Sequence, residues 1–111
     1  MPTFDRYDIV SVPFPYTDRA AIERRPALVI SGPALEGQFG LLWVLMITAA
    51  ENRPWQGDVP IPDHRAVGLP IPSIVRPAKI ATVEASRARI RGRLPAATAA
   101  VVATTVKSIL F

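Results

Sequence analysis

A chain of 111 residues, half of them apolar, is long enough for one small domain with a single compact core. Its net charge of +4 comes mostly from arginine and favours a partner rich in phosphate, although charge alone fits a soluble basic surface equally well. The absence of cysteine excludes disulfides and thiolate metal sites.

No stretch of the sequence has the pattern of a targeting or membrane segment. The first residues lack the apolar core of a signal peptide, and the longest apolar run, residues 40–50, is too short to cross a bilayer. We therefore expect a single cytoplasmic domain over residues 1–111 that has no membrane partner.

The first half of the chain predicts three strands. Residues 8–14 form the first, residues 26–31 the second and residues 41–48 the third; the connections 15–25 and 32–40 are expected to be a polar loop and a turn. Proline can open a strand and keeps the preceding residue extended. Arg25 is therefore expected at a rigid junction between loop and strand.

The second half continues with short strands and then changes its pattern. Residues 51–72 are loop-rich, with one short candidate strand at 57–61. Strands are expected at 73–76 and 79–83, with a bulge or bend at Pro77, followed by an extended stretch at 87–93.

Residues 96–110 predict a terminal helix. Val102, Val106, Ile109 and Leu110 share one helical face, and we expect the first three to pack in the core. Five or six short strands with one terminal helix favour a mainly β fold, a small and strongly bent barrel, over a βαβ arrangement.

The ordered motifs of this chain resemble the MazF/PemK family of toxin endoribonucleases. They comprise the Asp-Ile-Val run at 8–10 with Val-Pro-Phe-Pro at 12–15, residues 24–31, Ile47-Thr48, residues 68–69 with 72–76, residues 79–82 and residues 92–94. The resemblance implies an SH3-like barrel of five to seven strands, a homodimer, RNA cleavage without a metal or other cofactor, and inhibition by a cognate antitoxin. Tyr7 departs from the glycine that the family usually has before Asp-Ile-Val.

The resemblance places two catalytic residues on this chain. Arg25 matches the arginine before the strand-opening proline, and Thr48 matches the threonine that closes the next long strand. Arginine is too weak a base to take a proton, so its expected role is to stabilise charge on a phosphoryl group. The threonine hydroxyl can donate a hydrogen bond to a phosphoryl oxygen or orient the attacking 2′-hydroxyl.

Several further residues are candidates for binding RNA. Arg87, Arg89, Arg91 and Arg93 alternate with other residues, and period two predicts one charged strand face that binds either RNA or the antitoxin, or is simply solvated. The RNA-binding candidates are Arg24, Ser73, Arg76, Lys79, Arg89 and Arg91.

The remaining polar and aromatic residues offer fewer possibilities. His64 is the only histidine, which excludes a histidine-pair mechanism within one subunit and favours a solvated loop residue, and the scattered carboxylates predict no metal site. Trp43 is expected in the core and Trp55 on the surface, where it could stack on a base.

The sequence therefore predicts a toxin that cleaves single-stranded RNA, such as mRNA, at selected sequences and leaves 2′,3′-cyclic phosphate and 5′-hydroxyl ends. The alternative is a non-catalytic toxin of the same fold that poisons a protein such as DNA gyrase, and a third reading is a barrel that only binds nucleic acid. A toxin that poisons a protein has no need of the Arg25 and Thr48 pair, whereas a barrel that only binds nucleic acid would keep the arginines but show no turnover.

Overall fold

The computed structural model describes residues 3–13 and 23–111, which form one curled antiparallel sheet and two α-helices. The strands lie in the spatial order β4-β5-β3-β2-β1-β6, so the predicted mainly β barrel with a C-terminal helix is confirmed. The elements are β1 (Asp8–Pro13), β2 (Arg24–Val29), α1 (Pro33–Phe39), β3 (Leu41–Ala49), β4 (Val59–Pro60), β5 (Ser73–Glu84), a 3-10 turn (Ala85–Arg87), β6 (Arg89–Arg93) and α2 (Ala96–Leu110).

Both faces of the central strands are buried, which explains their nearly continuous apolar sequences. Ile9 in β1 pairs with Leu28 in β2, which pairs with Leu45 in β3, and this row packs toward α2. Side chains alternate along a strand, so the next row, Val10 with Ala27, belongs to the second core cluster on the opposite face of the sheet. One sheet therefore supports two apolar layers.

Strand β5 joins two strands that the sequence separated at Pro77. Leu45 pairs with Ile80 but the next residue, Met46, pairs with Arg76, so residues 77–79 have no partner in β3. These extra residues form the bulge expected at Pro77, because proline cannot donate to the ladder. The break proposed between residues 76 and 79 is wrong: the chain bends there and stays in one strand.

Strand β2 begins at Arg24, two residues before the expected start at Pro26. Arg24 pairs with Pro13 and Arg25 with Val12 in β1, whereas pairing with β3 begins only at Ala27. The ladder to β1 alone is enough to hold both arginines extended. Arg25 thus stands within a strand and not at a junction between loop and strand.

Helix α1 lies where the sequence predicted only a turn. Pro33 occupies its first turn, and Gly40 ends it in the left-handed region with φ of 67°, donating its N–H to the Glu36 carbonyl at 2.8 Å. The Glu36 carboxylate accepts the backbone N–H groups of Thr3 and Phe4. Pro33 and Gly40 are residues typical of a helix start and a helix end. The seven-residue helix is too short to show the periodic apolar pattern by which a helix is recognised in a sequence.

Helix α2 has the predicted bounds, and its buried face is narrower than expected. Val102 is fully buried and Val106 packs against the same core, but Ile109 is 55% exposed and lies outside that core cluster. The placement of Ile109 in the core was wrong.

No helix among residues 3–13 and 23–111 is long and apolar enough to cross a membrane. The predicted end of β1 at Phe14 and most of the 15–25 loop lie outside the described residues.

Gly92 in β6 tests how closely the backbone of the 61–69 loop approaches the sheet. A Cβ at Gly92 would collide with the Val67 carbonyl, so we expect Gly92→Ala to lower the free energy of unfolding by about 1–3 kcal/mol. Gly40→Ala is the matched control, since it meets open space and costs only its left-handed φ, about 1 kcal/mol. Urea denaturation measures both variants. A smaller loss for Gly92→Ala than for Gly40→Ala would contradict this close approach.

Candidate functional site

A cleft of about 620 Å³ lies where β2 and β3 run past the end of their pairing. The 69–71 segment and β6 form its other walls. Six residues proposed from the sequence line this cleft: Arg24, Arg25, Thr48, Ser73, Arg89 and Arg91.

Arg25 and Thr48 extend from neighbouring strands on the same side of the sheet. Arg25 lies two residues before Ala27, and Thr48 lies two residues after the Ala27 partner, Met46. Because side chains alternate along a strand, both follow the face set by that last pair. The Arg25 side chain is 45% exposed and forms an ion pair with Glu23 at 3.3 Å. Both residues line the cleft.

Asn52 is a cleft residue that the sequence reasoning missed. Its side-chain amide Nδ2 donates to Thr48 Oγ1 at 2.6 Å. The Asn52 backbone N–H donates to the Ala49 carbonyl, so a tight turn directly after β3 returns the side chain over the strand end. An asparagine in a turn four residues after the strand-end threonine was the available signal.

Arg24 ties three segments together at the wall of the cleft. Its Nε donates to Ser11 Oγ at 3.0 Å, and its Nη2 donates to the carbonyls of Ser11 at 2.6 Å and Arg87 at 2.8 Å. Burial and the charges of Arg89 and Arg87 lower the pKa of Arg24. Its donors are largely used within the protein, so its contribution to the cleft is mainly to fix the backbone.

The four alternating arginines do not form one stripe, because β6 contains a bulge. Arg93 pairs with Asp8 and Arg89 with Ser11, although Asp8 and Ser11 face opposite sides of β1. Arg91 falls in the register shift between these pairs, where period two fails. Arg93 forms an ion pair with Asp8 at 3.0 Å, away from the cleft.

Arg89 and Arg91 remain in the cleft after this break. Both are exposed, and Arg91 Nη2 donates to the Gly68 carbonyl at 3.0 Å. That bond fixes Arg91 against the loop that precedes the 69–71 wall. The two cations therefore line the same cleft as Arg25 and Thr48.

Arg76 and Lys79, also proposed to bind RNA, do not line the cleft. Arg76 is buried: its guanidinium contacts both oxygens of Asp58 at 3.1 and 3.0 Å and donates to the Arg53 carbonyl at 2.9 Å. It also stacks on the Trp55 ring, 4.3 Å from the centroid. These contacts make Arg76 the anchor of the 53–58 loop.

The remaining candidates occupy varied positions. Ser73 lines the cleft but is buried, and its hydroxyl donates to the Ile71 carbonyl at 2.8 Å. His64 is half-buried with Nδ1 2.9 Å from the Leu69 carbonyl, so it is less solvated than expected. Trp55 is exposed as predicted, whereas Trp43 is 49% exposed and the expectation that it lies in the core was wrong. At the start of β3, the side of the strand that carries Leu41 and Trp43 is only partly covered.

Tyr7 shows why a glycine would suit the turn before β1. Its φ of 74° lies in the left-handed region that glycine adopts without strain. The Tyr7 backbone N–H donates to the Val29 carbonyl at 2.7 Å, and its carbonyl accepts from Leu94 N–H at 3.0 Å. Those two bonds and partial packing of its ring on the core hold the strained conformation.

Metal ligation finds little support in the cleft. Among residues 3–13 and 23–111, no group of three or more histidine or carboxylate side chains lies close enough to hold an ion. Glu23 is the one carboxylate among the described residues that line the cleft, and it faces Arg25. The chemistry available there is that of cations and hydroxyl or amide groups.

The chain matches one protein-family model and resembles several solved structures. The family model of PemK-like, MazF-like toxins of type II toxin-antitoxin systems matches residues 5–110. A MazE-MazF structure (Form-III) from Deinococcus radiodurans is 29% identical, with a TM-score of 0.77 and coverage of 96% of this chain and 94% of that one.

Two further structures agree. MazF from the same organism is 27% identical, with a TM-score of 0.74 and coverage of 96% and 94%. The Mycobacterium tuberculosis toxin MazF-mt6 is 20% identical, with a TM-score of 0.73 over 93% of this chain and 95% of that chain, which is a likeness of fold. No curated protein sequence matches the chain.

The Asp58 and Arg76 pair generates a prediction about pH. Burial raises the pKa of Asp58, but hydrogen bonds from Arg76 and the Trp55 N–H, with the charge of Arg76, outweigh it and hold that pKa below its usual value. A carboxylate with a lowered pKa stabilises the fold above the pKa of the unfolded chain, about 4, and loses that effect as pH falls. Asp58→Ala should cost about 3–5 kcal/mol at pH 7 and less below pH ~4.

The control for this prediction is Glu84→Ala. Glu84 is exposed and lies 3.7 Å from Arg87, so its loss should change the free energy of unfolding by less than about 0.5 kcal/mol. Urea denaturation at neutral and acid pH compares the two variants. Equal costs for both, or a cost of Asp58→Ala that grows on acidification, would contradict the pairing.

Proposed function

The chain belongs to the PemK-like, MazF-like family of toxins of type II toxin-antitoxin systems, and we propose that it is an endoribonuclease that cleaves single-stranded RNA without a metal ion. The observation that carries this proposal is the convergence of Arg25 and Thr48 on one cleft with Arg89 and Arg91 at its wall. A phosphodiester backbone is the substrate class that such a cluster of cations favours.

Cleavage would proceed by attack of the RNA 2′-oxygen on the adjacent phosphorus. A bond from the 2′-oxygen to phosphorus forms as the bond from phosphorus to the 5′-oxygen breaks, giving a 2′,3′-cyclic phosphate and a 5′-hydroxyl. The 2′-hydroxyl releases a proton and the 5′-oxygen takes one up, so the number of protons is unchanged. Negative charge on the phosphoryl oxygens rises in the transition state, and fixed donors stabilise it.

Arg25 and Thr48 are the proposed catalytic residues. Arg25 carries a permanent charge on an extended strand, so its guanidinium can contact a phosphoryl oxygen through two N–H groups. The Thr48 hydroxyl accepts from Asn52, which leaves its own proton available to a second oxygen. Each donor acts where charge develops and not on the ground state alone.

The partners proposed for this toxin are RNA, an antitoxin and a second copy of the chain in the cytoplasm. The Deinococcus radiodurans relative is seen with MazE, which supports a cognate antitoxin here. Trp43, Leu110 and Phe111 expose apolar side chains around one groove between α1 and α2, which supports a homodimer.

Arg25→Ala tests the proposed reaction. We expect the rate of RNA cleavage by the variant to fall about 100- to 1000-fold, as it does when one fixed hydrogen-bond donor is removed. Its free energy of unfolding should change by less than about 0.5 kcal/mol, as is usual for a surface substitution. Arg65→Ala, which removes an exposed cation outside the cleft, is the matched control and should cleave normally. The assay uses a long RNA in excess EDTA with mapping of both new ends.

The outcomes separate the alternatives. Full activity of Arg25→Ala would show that the site is misassigned, and activity that disappears in EDTA and returns with magnesium would refute the mechanism. A wild-type protein that inhibits growth without cleaving any RNA would favour a toxin that poisons a protein target.

Replacing Arg89 and Arg91 together tests binding. Each phosphate contact releases counterions, so each lost contact should reduce the slope of log affinity against log salt by about 0.7 for single-stranded RNA. The rate at saturating RNA should change little, because these cations would contact substrate and transition state alike. Arg93→Ala, outside the cleft, is the control. An unchanged slope would mean a solvated face, and a large loss of rate at saturation would relocate the active site.

A further inference from the structure

The turn that follows β3 brings one amide side chain into contact with the proposed catalytic hydroxyl. Asn52 Nδ2 lies 2.6 Å from Thr48 Oγ1, and both residues line the cleft. No motif of the sequence assigned a role to Asn52, and it carries no charge that could bind phosphate by itself. Its contact with Thr48 is what requires an explanation.

Two backbone hydrogen bonds hold the turn that ends at Asn52. The Asn52 N–H donates to the Ala49 carbonyl at 3.0 Å, and the Ala50 N–H donates to the Pro72 carbonyl at 2.9 Å. Thr48 itself pairs with Ile74 in β5. The donor and the acceptor of the side-chain bond are therefore held by separate backbone bonds, which lowers the entropy cost of keeping them together.

The direction of this hydrogen bond determines what the hydroxyl can do. A threonine hydroxyl has one proton and two lone pairs, and the Asn52 amide occupies a lone pair. The remaining O–H must then point elsewhere, and a hydroxyl that accepts one bond donates more strongly in a chain of bonds. An acceptor at position 52 would have the reverse effect, because it would take the Thr48 proton itself.

We propose that Asn52 is a positioning residue that makes Thr48 a hydrogen-bond donor toward the phosphoryl group of RNA. This inference rests on the proposed ribonuclease function and names a determinant of its rate. Asn52 acts through Thr48 and touches no reacting atom. Its effect therefore belongs to the rate at saturating RNA and depends on the hydroxyl of residue 48.

The experiment is a double-mutant cycle measured as the cleavage rate at saturating RNA, with RNA affinity measured separately. Asn52→Ala should lower the saturated rate about tenfold, the effect of about one hydrogen bond, with affinity nearly unchanged. Thr48→Val should lower it further, and Asn52→Ala should have no additional effect in the Thr48→Val background. Glu51→Ala, an exposed neighbour outside the cleft lining, is the control expected to match the wild type.

Asn52→Asp distinguishes positioning from packing. Aspartate has the shape of asparagine but only accepts, so it should lower the saturated rate more than alanine does. If the side chain only filled space, aspartate would be the milder substitution. An Asn52→Ala variant with wild-type rate, an equal loss with and without Thr48, or a milder Asn52→Asp would each overturn the inference.

Failure of the proposed function would look different from failure of this inference. If the wild-type protein has no ribonuclease activity, the proposed function is wrong. If Thr48→Val is fully active, the proposed role of the Thr48 hydroxyl is wrong. A wild-type enzyme that depends on Thr48 but not on Asn52 refutes the positioning role alone.

Discussion

The pairing of β2 with β3 is the constraint on which the candidate site depends. Its last pair, Ala27 with Met46, determines both the spacing and the face of the two strand ends beyond it. Arg25 and Thr48 follow at the same offset on either side, so a shift of one residue would send them to opposite faces. The register in turn is held by burial on both faces of these strands, since a shift would exchange the two core layers.

Several cations are concentrated beside this pairing, and the fold holds them at some electrostatic cost. Arg24 lies near the like charges of Arg87 and Arg89, which lower its pKa together with burial. Its three hydrogen bonds, two of them to backbone carbonyls, and the Glu23 carboxylate near Arg25 offset part of the repulsion. A bound phosphate would offset more, so the same arrangement that costs stability in the free protein favours an anionic ligand.

The sequence predicted those parts of the molecule that local patterns determine. The apolar runs gave the strands, Pro77 gave the bulge in β5, and the spacing of Val102 and Val106 gave α2. Arg25 and Thr48 came from the family resemblance, since each residue alone fits an ordinary surface or turn position. The register beyond Ala27 then explains why both residues line one cleft.

Other features depend on pairings that no local pattern encodes. The bulge at Arg91 arises from the register of β6 against β1, so four arginines at period two could not be divided between two faces from sequence. The burial of Arg76 depends on Asp58, 18 residues away, and the contact of Asn52 with Thr48 requires the turn that follows β3. Trp43 was misplaced for the same reason: an apolar run shows that a strand is buried, but not where its neighbours end.

The outer wall of the cleft depends on a contact that leaves no room for a side chain. Gly68 lies in the loop and Gly92 in β6, and each approaches the backbone of the other segment. A Cβ on Gly68 would collide with the Arg91 carbonyl, and a Cβ on Gly92 would collide with the Val67 carbonyl. Arg91 then donates to the Gly68 carbonyl, so the arginine that flanks the cleft also holds the segment leading to its wall. Because Leu69 and Ile71 follow directly, the width of the cleft is coupled to the position of β6. The two glycines thus allow β6 both to supply two arginines of the cleft and to fix the position of the opposite wall.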